Sequence, residues 1–323
     1  MHSITDIAKE IYEDLVVCEL DTIKHDEQLV HDAVTSWKKK NCKVLVYSLD
    51  NFVNDRKHIE HIRSQYENFA YTTPGHHEDK NHINNMDYLT RFTCGKEHPI
   101  IDHDNLKKHS FVFLVGKLHQ HRKNLLEAIA KRGILNYTLL SLRNPEQAYK
   151  HLLPEHRALP SEYEWPEITE VGDFQAGWQD RHAPMAVAFN KNIGKAHPVL
   201  YKDTAYSLVS ETNIEPDINY ITEKTWTPMV AEHLIVGHGN RNNNYFLETL
   251  GFVMHNDFIS HYDDSDHNRV AEICEGLLQE SVTTVYRHTQ KQREHNRQLA
   301  LDEPHWKDYH KSHLESYFLW KNK

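Results

Sequence analysis

Phe111-Val-Phe-Leu-Val115 is an unbroken apolar run of strand length, closed by Gly116. A strand with no polar alternation is buried on both faces, and the arrangement that covers both faces is a parallel sheet layered with helices. The next segment agrees. From His121 to Arg132 apolar residues fall at Leu125, Leu126 and Ile129, at helical spacing, and Gly133 stands where a C-terminal helix cap belongs. Tyr137-Thr-Leu-Leu-Ser141 then reads as a second strand. A strand, a helix and a strand in that order place the chain in the α/β class.

The theme recurs on both sides of this unit. Lys43-Val-Leu-Val-Tyr-Ser48 reads as a buried strand, and residues 55–66 as a helix by the spacing of Ile59, Ile62 and Tyr66. Ahead of them, Ile7, Ile11, Leu15 and Val16 predict one or two surface helices within residues 1–40. Residues 72–104 are irregular and polar, and residues 144–184, with prolines at 145, 154, 160, 166 and 184, predict an extended connection. Further on, Ala205–Ser210 predicts a strand, Thr222–Glu232 a helix, Leu234–Val236 a strand and Asn243–Leu250 a helix closed by Gly251. Phe252-Val-Met254 predicts another strand, and residues 266–297 one long helix by the spacing of Val270, Ile273, Leu277 and Val282. The tail carries Trp306, Tyr309, Phe318 and Trp320, too aromatic for a free polar segment, and is expected to pack back on the body.

A chain of 323 residues exceeds what one core usually serves, so two domains are expected, over 1–106 and 107–290, with 291–323 as the tail. The formal net charge of −10 excludes a broad basic field for nucleic acid, which leaves local clusters at Lys38-Lys39-Lys40 and Lys107-Lys108. Four Cys without a CxxC pair fit neither a disulfide framework nor a zinc ribbon and suggest a reducing compartment. Acidic residues Asp6, Glu10, Glu13 and Asp14 stand where a signal peptide needs positive charge, and no apolar run reaches about 18 residues. The expectation is a cytoplasmic protein with no membrane insertion.

Two helix starts carry chemistry. In Asn219-Tyr-Ile-Thr-Glu-Lys-Thr-Trp-Thr-Pro-Met229, following Ser207-Leu-Val-Ser-Glu-Thr212, Glu223 and Lys224 lie off the stripe of Trp226, Met229 and Val230. A carboxylate and an ammonium beside the open N–H groups of a helix suit ribose hydroxyls and phosphate. Both also suit a plain helix start, with Glu223 complementing the dipole and Lys224 solvated. The second start is Gly116-Lys-Leu-His-Gln-His-Arg122, where Arg122 opens the helix after a buried strand. Neither segment is a Walker loop or a GxGxxG fingerprint. His76-His77 with His82, His58 with His61, and His119 with His121 could each lend two ligands to a metal, but none shows HExxH or a three-ligand spacing.

Together, Tyr220-Ile-Thr-Glu-Lys224 and the Gly116 to Arg122 segment resemble the donor-binding signature of α1,3-fucosyltransferases and their phage and bacterial relatives. The likeness spans roughly residues 108–262, and Leu250-Gly-Phe252 and Asp257-Phe-Ile-Ser-His-Tyr-Asp263 are similar to the phage members. It implies a GT-B fold, with two Rossmann-like domains and a cleft between them. It also implies sugar transfer with inversion from a UDP- or GDP-linked donor, with no obligatory metal. Residues 1–106 would then face the acceptor and 107–290 the donor. Arg122 and Lys224 would neutralise the diphosphate, Glu223 would bind ribose or nearby hydroxyls, and Glu211 and Tyr220 would line the donor pocket. The phage members imply a modified DNA base as acceptor, such as a hydroxymethylated pyrimidine, in the host cytoplasm. A polysaccharide or lipid-linked carbohydrate is the alternative acceptor, and a non-catalytic sugar or nucleic-acid binding module the alternative class.

Residues 1–106 carry no matching motif, so the general base comes from chemistry alone. Inverting transfer needs a carboxylate within reach of the acceptor hydroxyl. Asp50, just past the strongest N-terminal strand, is the candidate, with Asp102 and Asp104 behind it.

Overall fold

The structure, a computed structural model, describes residues 3–24, 26–48, 52–73, 76–77, 79–84, 86, 89, 93–94, 98–103, 107–115, 118–142, 196, 198–212, 214, 218–259 and 265–321. The chain is α/β with two parallel sheets.

In the N-terminal sheet β1 (Leu15–Glu19), β2 (Lys43–Tyr47) and β3 (Phe69–Thr72) pair parallel in the order β1-β2-β3. Around them stand α1 (Ile4–Ile11), α2 (Leu20–Ile23), α3 (Glu27–Lys40) and α4 (Phe52–Gln65). The strand over residues 43–48 and the helix over 55–66 are where the pattern predicts them. β1 is a correction: Leu15 and Val16 extend the spacing of Ile7 and Ile11, but α1 stops at Tyr12 and Leu15-Val-Val-Cys-Glu19 runs beside β2 instead. β-branched Val16 and Val17 favour the pleated surface that β2 offers.

After a two-residue strand β4 (His76–His77), the second sheet begins with β5 (His109–Val115). Helix α5 (Gln120–Lys131) leads to β6 (Thr138–Leu142), and Gly133 takes φ +71° as the left-handed residue beyond the helix. The chain resumes with α6 (Pro198–Asp203), β7 (Thr204–Ser210), β8 (Ile218–Asn219), α7 (Glu223–Val230), β9 (Leu234–His238) and α8 (Asn243–Thr249). The strand order is β6-β5-β7-β9, all parallel. The chain thus lays β6 on one side of β5 and then β7 on the other, so the order reverses between β5 and β7. In open α/β sheets that reversal opens a crevice at the carboxyl ends of the strands. The expected extended connection at 144–184 lies outside the described residues.

Two further expectations are corrected. Residues 266–297 form two helices, α9 (His267–Leu277) and α10 (Val282–Ala300), because Ser281 adopts an extended conformation and caps α10 through the Thr284 N–H. Phe252-Val-Met254 has no strand partner among the described residues. The Asn296 side chain on α10 takes that place: Val253 N–H donates to its Oδ1 at 2.8 Å, and its Nδ2 donates to the Val253 carbonyl at 2.8 Å. One carboxamide satisfies both backbone groups as a neighbouring strand would.

α7 ends in a Schellman turn, with His233 N–H bonded to the Pro228 carbonyl at 2.9 Å and Glu232 N–H to Met229 at 3.1 Å. Glu232 sits there at φ +56°, a position that favours glycine. Two arginines of α10 hold it. Arg293 Nη1 donates to the Glu232 carbonyl at 2.9 Å, and Arg293 and Arg297 approach its carboxylate at 3.8 and 3.7 Å.

The tail packs back as its aromatics predict, as α11 (Glu303–Lys321), and it belongs to both halves of the chain. Trp306, fully buried, stacks on Phe252 in the core under α7, while Leu314 and Phe318 fill the core of α1 and β1. β4 and β8 also join the halves, pairing His76-His77 with Asn219 and Ile218.

Asn296→Ala leaves the Val253 N–H and carbonyl without their partner. The expected cost is about 2 kcal/mol, read as a lower urea midpoint at unchanged m-value.

Candidate functional site

At the carboxyl ends of the second sheet, by the β5–β7 reversal, the site is built from segments that follow three strands. β7 delivers Glu211 and Thr212, the residues after β5 lead to the first turn of α5, and the chain returning from β8 delivers the first turn of α7. Of the sequence-predicted residues, Arg122, Glu211, Glu223 and Lys224 come together here.

Glu211 organises the group. Its side chain is 2% exposed, and its carboxylate accepts from Thr222 N–H at 3.1 Å, Thr222 Oγ1 at 2.6 Å and Thr225 Oγ1 at 2.7 Å. The negative charge that complements the dipole of α7 is therefore the protein's own. Lys224 Nζ lies 2.8 Å from Glu223 Oε1, 3.2 Å from Thr222 Oγ1 and 3.3 Å from Thr212 Oγ1, with side-chain exposures of 20% for Lys224 and 13% for Glu223. The pair reaches solvent at the mouth of the crevice, off the buried stripe of Trp226, Met229 and Val230.

Arg122 is more enclosed than a surface phosphate ligand. It is 2% exposed and its Nη2 donates to the Ser210 carbonyl at 2.8 Å, which pins α5 to the end of β7. Burial lowers its pKa, while the charges of Glu211 and Glu223 favour the guanidinium form. Arg122 and the two carboxylates thus share one electrostatic site although they stand about 90–100 residues apart in the chain.

Tyr220 goes elsewhere. It is buried with Val46, Tyr66 and Tyr71 in the core of the N-terminal sheet, so it ties the segment entering α7 to that half. Asp50, Asp104, Gly116 and residues 260–264, which include the Tyr-Asp pair, lie outside the described residues. Among the described residues no group of three or more His, Cys, Asp or Glu is placed to hold a metal ion. Lys108 pairs with Asp203 at 2.9 Å and Lys107 donates to the Lys202 carbonyl at 2.9 Å, whereas Lys38, Lys39 and Lys40 are exposed at the end of α3.

The pattern did not single out His238 or the asparagines that follow it, and it read His121 as a metal-ligand option. His121 Nε2–H donates to the Glu211 carbonyl at 3.0 Å, and Ser210 Oγ and His238 Nδ1 are 2.9 Å apart. Burial dominates both imidazoles, lowering the pKa of His121 to about 4 and of His238 to about 3, with neighbouring His and Arg122 charges adding to it. Beside them a small recess of about 20 Å³, room for about one water, runs from Glu211 and Thr225 to Gly239, Asn243 and Asn244. The signal for it is the run Gly237-His-Gly-Asn-Arg-Asn-Asn-Asn244, which puts amides where the start of a packed helix normally carries apolar residues.

In comparisons with known proteins, no family model and no curated sequence matches the chain.

Glu211→Ala strips three donors of their acceptor and leaves Arg122 with less compensation. It is expected to cost about 3 kcal/mol in urea denaturation, and Glu211→Gln less than half of that.

The fold holds His121 and His238 neutral down to pH values of about 4 and about 3, whereas an unfolded chain protonates them near about 6.5. Above that pH neither state takes the proton and stability is unaffected. Below it the unfolded state gains protons first, so stability falls by up to about 1.4 kcal/mol per pH unit for each imidazole. Denaturation midpoints should drop between pH 6.5 and 5, and His238→Gln should flatten that slope; an identical slope in the variant contradicts this assignment.

Proposed function

We propose that this chain is a nucleotide-sugar-dependent glycosyltransferase of the GT-B type, related to the α1,3-fucosyltransferases and their phage counterparts. The observation that carries the reading is the meeting of Arg122, Glu211, Glu223 and Lys224 at the β5–β7 reversal, where open α/β sheets bind nucleotides. Two motifs separated by about 90 residues in the chain need not meet in space, and a donor site requires that they do.

In this reading Lys224 is the cation that contacts the diphosphate at the crevice mouth, exchanging Glu223 for phosphate oxygens. Arg122 stands behind it as a buried positive charge. Glu223, released, accepts from ribose hydroxyls. As the bond from the anomeric carbon to the phosphate oxygen breaks, negative charge collects on the leaving diphosphate, and preorganised cations stabilise that charge more than they do in water. The acceptor oxygen bonds to the anomeric carbon from the opposite face and its proton passes to a carboxylate, the role assigned to Asp50. The pairing of β8 with β4 and the packing of Tyr220 in the core of the N-terminal sheet support an acceptor side formed by residues 1–106.

A panel of UDP, GDP, ADP, CMP and dTDP at millimolar concentration tests the donor site. One of them is expected to raise the melting temperature by about 5 °C, as saturation some hundredfold above Kd should. Lys224→Ala is expected to abolish that shift while leaving the ligand-free melting temperature within about 1 °C. No shift with any nucleotide overturns the reading. Transfer assays with the stabilising donor then separate hydroxymethylated duplex DNA from plain duplex and from free or lipid-linked carbohydrates. Glu223→Gln should lower turnover by about a hundredfold or more.

A further inference from the structure

The inward face of α11 is a stripe at four-residue spacing, Trp306, His310, Leu314 and Phe318, each no more than 1% exposed. Three of these are the apolar residues that such a stripe needs. Trp306 belongs to the core under α7, whereas Leu314 and Phe318 belong to the core of α1 and β1. His310 therefore stands where α11 crosses from one half to the other, and it alone in the stripe can change its charge.

Its ring has a specific partner. Nε2 accepts from the Met86 N–H at 2.9 Å, which fixes the neutral tautomer with the proton on Nδ1. Nδ1 has no hydrogen-bond partner among the described residues. Met86 and Leu89 are buried in the same core as Trp306, and Ile83 in the same core as Leu314, so the segment carrying the Met86 amide crosses both cores beside α11. An imidazolium has no lone pair with which to accept. A proton at Nε2 would set two N–H groups against each other and leave a charge in an apolar stripe.

Among the described residues no counterion faces that charge. On α11 the neighbours are Tyr309, its ring 5.9 Å away, and His313, whose own charge would oppose a second. On the crossing segment the described residues are Ile83, Asn84, Met86 and Leu89, none of them titratable, and the Asn84 side chain bonds Tyr309. Asp87 lies outside the described residues. Burial first, and His313 second, lower the pKa of His310 to about 3. No strand pairing includes α11, so its release leaves both parallel sheets intact.

We propose that α11 is a proton-sensitive clasp: neutral His310 holds it across the two halves, and acid releases it before the sheets unfold. Above about pH 6.5 neither the docked nor the released helix is protonated, and the clasp has constant strength. Below that the released helix alone takes the proton, so its population grows by up to about tenfold per pH unit until the docked imidazole titrates at about 3. The clasp is independent of what the second sheet binds.

Hydrogen exchange read by mass spectrometry on the full chain, with rates corrected for intrinsic exchange, tests it at pH 7.0 and 5.5. Peptides covering residues 306–318 are expected to lose protection about eightfold between the two, and at pH 5.5 to exchange faster than β5 and β7. His310→Gln keeps an acceptor for the Met86 N–H and removes the titration, so the loss in 306–318 should vanish. Protection of α11 that is independent of pH, exchange no faster than that of β5 and β7, or an unchanged loss in the variant overturns the clasp. If the variant does not fold, the imidazole NMR signals of His310 in the native chain decide. An Nδ1–H tautomer that does not titrate between pH 7.5 and 5 supports the clasp, and an Nε2–H tautomer or a midpoint near about 6.5 overturns it.

Discussion

The three hydrogen bonds that the Glu211 carboxylate accepts from Thr222 and Thr225 fasten the end of β7 to the start of α7. Much of the second sheet's working end depends on that junction. It directs Trp226, Met229 and Val230 inward against α8 and α11, leaves Glu223 and Lys224 at the crevice mouth, and forms one wall of the recess. A carboxylate buried at a helix N-terminus is stable because backbone N–H and dipole act on it together, and hydroxyl donors take up its remaining lone pairs. The same carboxylate supplies the negative charge at the start of α7, and the Lys224–Glu223 pair stands outside it, nearer solvent.

Much of the α/β framework was legible in the chain. Phe111–Val115, Leu125 to Ile129 and Gly133 predict β5, α5 and its left-handed cap, and all three are where the pattern puts them. The misreadings share a cause: a backbone's partner is a tertiary fact. Leu15 and Val16 continue a helical spacing until β2 supplies an edge to pair with. Phe252 and Met254 are buried as in a strand, yet the partner of Val253 is one side chain from α10. Ser281 breaks the long helix with a cap of a kind that periodicity alone does not weigh.

The site divides along the same line. Arg122, Glu223 and Lys224 stood out because helix starts after buried strands have a fixed place in an α/β sheet, at the ends where ligands bind, whereas Glu211 stood out through the family resemblance. Tyr220 lies in the same short motif but faces the other core, and nothing in its spacing distinguishes the two. The buried amides of residues 240–244 were harder still, because polar residues in that composition ordinarily signal a surface turn. Their enclosure depends on α7 and β7, which lie elsewhere in the chain.

The placement of α11 bears on how the chain reaches this structure. Tyr317 Oη donates to the Phe69 carbonyl across 248 residues, and Met86 N–H to His310 Nε2 across 224. Contacts of such long range repay their loop-closure entropy late, after local units have formed. The β5–α5–β6 unit is assembled from neighbours in sequence, whereas the core of the three-stranded sheet is completed by Leu314 and Phe318 of α11, so the first and last segments of the chain share one core.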